Sequence, residues 1–144
     1  MSLDGDYEDN NIFAKILRGE IPAAKVYEDD TVMAFMDAFP QTRGHTLVVH
    51  KHSKARNLLD VDGRHLCELM TGVQKVARAM RAALSPDGII ITQFNGAPAG
   101  QTIFHLHVHI VPRFSGQAPG EHGRGQSQPG ELQALARQIA AKVA

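Results

Sequence analysis

Several kinds of residue are scarce in this chain, and each scarcity removes an explanation. A single cysteine, Cys67, stands in 144 residues, so no internal disulfide forms and no cysteine-based zinc cluster is available. Fifteen basic residues balance fifteen acidic ones, which leaves none of the broad positive field that nucleic-acid binding needs. No apolar run approaches the roughly 18 residues of a membrane span, and no basic-then-apolar stretch resembles a signal peptide. The expectation is one soluble, cytoplasmic domain that takes neither nucleic acid nor membrane as a partner. At this length such a domain buries a core without covalent staples.

Histidine, in contrast, is plentiful. Of eight in the chain, three alternate with apolar residues in residues 103–113, IFHLHVHIVPR. Strict alternation is the pattern of a half-buried β-strand. It predicts Phe104, Leu106, Val108 and Ile110 toward the core, with His105, His107 and His109 together on the opposite face. One polar residue on a strand face needs no explanation, but three aligned imidazoles point to chemistry.

The surroundings can be read from the N-terminus. Residues 1–10, MSLDGDYEDN, are acidic and weakly apolar, which predicts a mobile segment with little function. Ile12, Phe13, Ile16 and Leu17 share a helical face, with Asn10 or Asn11 as cap, Gly19 as stop and Pro22 beyond. KVYEDDTVMAFMD reads as two strands around Glu28-Asp29-Asp30, and GHTLVVH as a third. A long helix is expected from Asp62 to Leu84, with Leu66, Leu69, Met70, Val73, Val76, Ala77, Met80 and Leu84 at helical spacing. Met70, Met80 and Cys67 read as core positions on it.

IIITQF then reads as a buried strand, NGAPAGQT as a glycine-rich loop and the histidine stretch as the last core strand. Residues 114–130 are expected to be irregular, before a helix through Leu132, Leu135, Ile139 and Val143. Strands in hairpins favour an α+β domain with an antiparallel sheet, helices on one side and the histidine face open. Residues 11–113 would form the catalytic domain, and residues 114–144 a loop and helix attached to it.

Two chemistries suit the histidines. One is metal binding, with His45, His50 or His52 as a further ligand. Geometry counts against all three strand histidines meeting one ion, since His105 and His109 start about 13 Å apart along an extended strand. The other is chemistry on phosphate: neutral imidazole, with a pKa of about 6.5, is a competent nucleophile at neutral pH. The central ring is the natural attacker. Gly96, Gly100, Gln101 and Thr102 precede it in a loop whose N–H groups and side chains can cradle an anion.

His105-Leu-His107-Val-His109-Ile-Val resembles the signature of the histidine triad (HIT) family of nucleotide hydrolases and transferases. AGQTIF before it and GHTLVV around His45 are similar to that family as well. IFAKILRGEIPAAKVYEDD resembles the nucleoside phosphoramidase branch more than the branch of dinucleoside polyphosphate hydrolases. The resemblance runs from about Ile12 to Arg113.

It implies a HIT-like fold, a homodimer, no cofactor and no metal. The substrate would be a purine nucleotide conjugate, releasing AMP or GMP. His107 would attack the α-phosphorus, His109 would contact phosphate oxygens or help protonate the leaving group, His105 would order the strand, and His45 would support the nucleophile. Asn95, Gly100, Gln101 and Thr102 match phosphate-contacting positions, and Asp37 the ribose position. Ile12, Phe13, Ile16, Phe35 and Leu47 would line the purine pocket.

His50, His52, His65 and His122 match no catalytic position and read as surface or structural. The chain departs from the family where His50-Lys51-His52-Ser53 stands in place of Pro-Lys-x-His. It also carries a long tail without tryptophan, on the side where the family sets leaving-group preference. Dinucleoside polyphosphate hydrolysis and a metal-binding hydrolase therefore stay open as alternatives.

Overall fold

The computed structural model describes residues 2–118 and 127–144. Its elements are α1 (Ile12–Leu17), β1 (Lys25–Glu28), β2 (Val32–Met36), β3 (Thr46–His50), α2 (Gly63–Leu84), β4 (Gly88–Thr92), a 3-10 turn (Ala97–Ala99), β5 (His107–Arg113) and α3 (Pro129–Ala140). The strands form one antiparallel sheet in the order β1-β2-β3-β5-β4. The late strand β5 thus lies between β3 and β4, which brings residues distant in sequence to the histidines. The architecture is α+β, as expected.

Local chemistry sets the boundaries. Asn11 Oδ1 accepts from the Ala14 N–H at 2.9 Å and caps α1, and Asp62 Oδ1 accepts from the His65 N–H at 2.8 Å and caps α2. In the β1–β2 turn, Asp29 accepts from the N–H groups of Thr31 and Val32 and from the Tyr27 hydroxyl. Burial opposes its ionisation, but these bonds outweigh it and pull the carboxyl down to about 2. Helix α2 comes close to the sheet at Gly72, where a Cβ would lie 2.7 Å from Val32 Cγ2.

Helices α2 and α3 cover one face of the sheet. Leu69, Val76, Met80 and Ile139 pack there against Val48, Val108 and Ile110. Each such side chain contributes about 1.5–3 kcal/mol by leaving water. The opposite face is not open: Phe13 of α1 joins Met33, Phe35, Leu47 and Val49 in a second buried cluster, and residues 2–9, expected to be mobile, lie beside it. As a result His45, His105, His107 and His109 are all buried.

Four details differ from the sequence reading. Strand β5 starts at His107, because the Leu106 N–H donates to the Ala55 carbonyl at 3.0 Å while the chain bends through residues 103–105. Phe104 is consequently half-buried outside the core, with the Arg56 guanidinium 4.7 Å from its ring centroid. Strand β4 is an edge strand, and Ile90 and Ile91 are exposed. On α2 the buried stripe runs through Leu69, Val73, Val76 and Met80, one step round the helix from Met70 and Cys67, which are exposed. His122 and residues 119–126, the middle of the stretch expected to be irregular, lie outside the described residues.

Candidate active site

The strand period of two puts His107 and His109 on the same side of β5, with Val49 opposite His107 and Leu47 opposite His109 on β3. Their ring centroids are 5.0 Å apart. His45 enters from just before β3, and its Nε2 lies 2.9 Å from His109 Nδ1. Phe13 meets His107 edge-on at 4.8 Å, and Phe94 meets His109 at 5.3 Å. Of the four imidazoles, His107 is the most accessible, at 7 % against 0–1 % for the others.

Hydrogen bonds fix which nitrogens carry protons. The His105 carbonyl can only accept, so His107 donates to it from Nδ1 at 2.6 Å. In neutral His107 the lone pair is then on Nε2. The Gln41 N–H donates to His45 Nδ1 at 3.0 Å, which puts the proton of neutral His45 on Nε2. That Nε2–H donates to His109 Nδ1 and lies 3.5 Å from Asp37 Oδ2. Neutral His109 therefore carries its own proton on Nε2. The relay runs from a backbone amide through two imidazoles, beside the ring of His107.

His105 behaves differently. It has left the strand, its Nδ1 is 2.6 Å from the Tyr7 hydroxyl, and its Nε2 is buried with no partner among the described residues. Burial first, and then the nearby charges of His107 and His50, push its pKa down to about 4. It is a neutral structural imidazole.

The expected binding residues fall into two groups. Phe13, Phe35, Leu47 and the half-buried Ile16 form an apolar wall on the face that carries His107 and His109, while Ile12 is half exposed at the start of α1. Asp37 is buried, and its Oδ1 accepts from the Phe39 N–H at 2.8 Å. In the loop, Gln101 accepts from the Gly96 N–H and donates to the carbonyls of Arg56 and Ile103. Asn95 Oδ1 accepts from the Leu58 N–H and from Gln93. These two side chains brace the loop, Thr102 is exposed, and Gly100 turns the chain at φ 109°.

Among the described residues, two clusters have donor atoms close enough for a metal ion: Asp37, His45 and His109, and His50, His65 and Glu68. The same hydrogen-bond pattern opposes ligation in both. The N–H groups of His52 and Ser53 donate to His50 Nδ1, which puts the His50 proton on Nε2, facing Glu68 at 3.0 Å. A ring nitrogen must lose its proton before it binds a metal.

Sequence reading missed Tyr7, Phe94, Met33, Val49 and Gln41. Gln41 acts through its backbone, which leaves no trace in side-chain pattern. Tyr7 sits in a segment without periodicity, and only a buried aromatic partner would have marked it.

A HIT domain family model matches residues 18–116, about two thirds of the chain and a span that includes all four clustered histidines. The chain belongs to the HIT family. The Bacillus subtilis "Protein hit" is 39 % identical over 140 residues, 94 % of this chain and 96 % of that one. A crystal structure of a Hit-like protein involved in cell-cycle regulation from Bartonella henselae, with an unknown ligand, superposes with a TM-score of 0.91 at 46 % identity, covering 96 % and 99 % of the two chains.

The adenylylsulfatase HINT3 of Arabidopsis thaliana is 36 % identical over 102 residues, 71 % of this chain and 51 % of that one. The HIT fold is one of nucleotide-binding hydrolases and transferases, and this chain has it. No helix among the described residues is long and apolar enough to cross a membrane.

Proposed function

We propose that the protein hydrolyses purine nucleoside phosphoramidates or closely related nucleotidyl conjugates through a covalent nucleotidyl-histidine, with no cofactor and no metal. The observation that carries this reading is the 2.6 Å bond from His107 Nδ1 to the His105 carbonyl, which directs the His107 lone pair to Nε2. In the first step Nε2 forms a bond to the α-phosphorus, and the bond to the leaving group breaks with its electron pair. An amine leaving group departs with a proton. His109, which holds its proton on Nε2, is the neighbouring donor for phosphoryl oxygen or leaving atom. Water then attacks phosphorus and gives a proton to His109, restoring the one that left with the amine, while the P–N bond to His107 breaks and AMP or GMP leaves.

In this reading Phe13, Ile16, Phe35 and Leu47 hold the base, with Ile12 at the rim, and Asp37 accepts from ribose hydroxyls. Gly100 and Thr102 meet the phosphate in a loop shaped by Gln101 and Asn95. The Arabidopsis relative named an adenylylsulfatase supports an adenylyl conjugate as the class of substrate. Exhaustive chelation should leave turnover unchanged, and its loss with recovery on added zinc would favour the metal-dependent alternative.

The deciding experiment gives the protein an adenosine phosphoramidate and follows AMP release together with intact mass. A transient adenylyl adduct on His107 is expected. Parallel kinetics with a diadenosine polyphosphate should give a lower kcat/KM, and the reverse order would move the protein to the dinucleotide-cleaving branch.

We propose further that the protein works in the cytoplasm as a homodimer joined across α2 and β4. Support comes from exposed Leu58, Met70 and Ile91 around a cleft of about 180 Å³ beside an edge strand. Sedimentation at micromolar concentration should give twice the chain mass.

A further inference from the structure

The N-terminal residues make more bonds than their composition foretells. The Arg56 guanidinium donates to the carbonyls of Ser2 and Asp6, and Asn57 Nδ2 donates to the Leu3 carbonyl. Ser2 Oγ accepts from the Ala97 N–H at 2.9 Å, and Leu3 packs on Gly96. The strap therefore holds the turn around Arg56 and the loop before the triad from outside. At its far end Tyr7 presents its hydroxyl to His105 Nδ1 at 2.6 Å, with Lys54 Nζ 6.0 Å from the Tyr7 ring centroid.

The peptide that carries the His105 carbonyl is held on one side by its own N–H, since Leu106 donates to the Ala55 carbonyl at 3.0 Å, but the His105 ring has few anchors. His105 lies outside the ladder of β5, whose pairing with β3 starts at His107. Its Nε2 has no partner among the described residues. Its ring is held by the Tyr7 hydroxyl, by the tilted Tyr7 ring at 5.6 Å and by the edge-on Phe13 ring at 6.2 Å between centroids. Yet its carbonyl is the acceptor that sets the tautomer of His107. A residue released from the ladder is free to turn its carbonyl toward its own i+2 side chain, and for the same reason it needs an outside anchor.

We infer that Tyr7 is a positioning residue: through the His105 ring it works with the Leu106–Ala55 bond to fix the His105 carbonyl, and so holds His107 with Nδ1 protonated and Nε2 ready to attack. The strap of residues 2–9 is then part of the reactive site's scaffold. The inference rests on the proposed role of His107 for its kinetic consequence, but not for its structural one.

The test uses the full chain and the variant Tyr7→Phe, which keeps the ring and removes the hydroxyl. Nitrogen-15 spectra of the histidine rings without substrate should show His107 as a single Nδ1–H tautomer in the parent protein and as a tautomer mixture in Tyr7→Phe. With an adenosine phosphoramidate, kcat should fall about three- to tenfold, the effect of displacing a reacting atom by a fraction of an ångström, while KM stays within about twofold.

Arg56→Lys loosens the strap elsewhere and should shift both readouts in the same direction by less. Unchanged His107 spectra in folded Tyr7→Phe, or a lowered melting point with parent kcat, would overturn the inference and reduce the strap to packing. If His107→Ala kept its turnover, the proposed chemistry would fall, while the tautomer change in Tyr7→Phe would still decide the positioning role.

Discussion

The two ends of β3 carry the same device put to different uses. At one end the Gln41 N–H donates to His45 Nδ1, and at the other the N–H groups of His52 and Ser53 donate to His50 Nδ1. Both rings are thereby held with a proton on Nε2, and both are buried. His45 passes its hydrogen bond to a second imidazole, His109, in the interior. His50 ends on Glu68, a partly exposed carboxylate of α2. A backbone amide that chooses a tautomer is thus a general way to anchor histidine. What sets His45 apart is the neighbour that receives the proton's direction, the imidazole of His109 beside His107.

The largest effect expected lies on the sheet face that carries His107 and His109. His107→Ala removes the only imidazole of the cluster with appreciable access, and kcat for AMP release should fall by about 10³-fold or more. His45→Ala should cost about 10²-fold in kcat, because His109 Nδ1 loses the donor that fixes its tautomer, as in other relays where only the orienting group is removed. Steady-state kinetics with one substrate across both variants checks the order. An inert His45→Ala would mean that the relay is structural only.

Acid should also separate His105 from His50. Burial lowers the pKa of both His105 and His50, but Glu68 pulls His50 back up, whereas no carboxylate opposes the fall of His105 to about 4. An unfolded chain takes up a proton near pH 6.5, and folded His105 resists until about pH 4. Between those values the unfolded state binds more protons, so stability drops as pH falls through that window, by on the order of 3 kcal/mol at most. Urea unfolding at pH 7 and pH 4.5 measures it. His105→Asn should flatten the slope, and an unchanged slope would assign the acid lability elsewhere.

Much of this was legible in the chain. Helix α2 runs where its apolar spacing and the Asp62 cap indicate, and three hairpin strands follow alternation and turn residues. His107 and His109 share a face because a strand alternates. His105 was misread as a strand residue because alternation continues in sequence one step past the point where the Leu106 N–H leaves the sheet for Ala55. The exposure of Ile90 and Ile91 depends on β5 inserting between β3 and β4, which no local pattern encodes. The roles of Gln41 and of the carbonyls of Ser2, Leu3 and Asp6 are backbone roles, silent in side-chain identity.

The smallest effects belong to the far end of β3, and they sharpen the contrast best. His50→Ala leaves the N–H groups of His52 and Ser53 without their acceptor and should lower stability by about 1–3 kcal/mol. Glu68→Gln should do less still, since an amide oxygen can accept from His50 Nε2 in place of the carboxylate. The hydrogen bond from His50, above all, holds the Glu68 carboxyl below its usual 4.5, so the charge contributes stability above that pH and loses it on further acidification. Glu68→Gln should therefore melt slightly lower than the parent at pH 7 and converge with it in acid, while kcat stays within about twofold, as expected for a surface-side change remote from the reacting atoms. A tenfold loss of kcat in Glu68→Gln would show that the two ends of β3 are coupled, and that the His50 pin belongs to the reactive site after all.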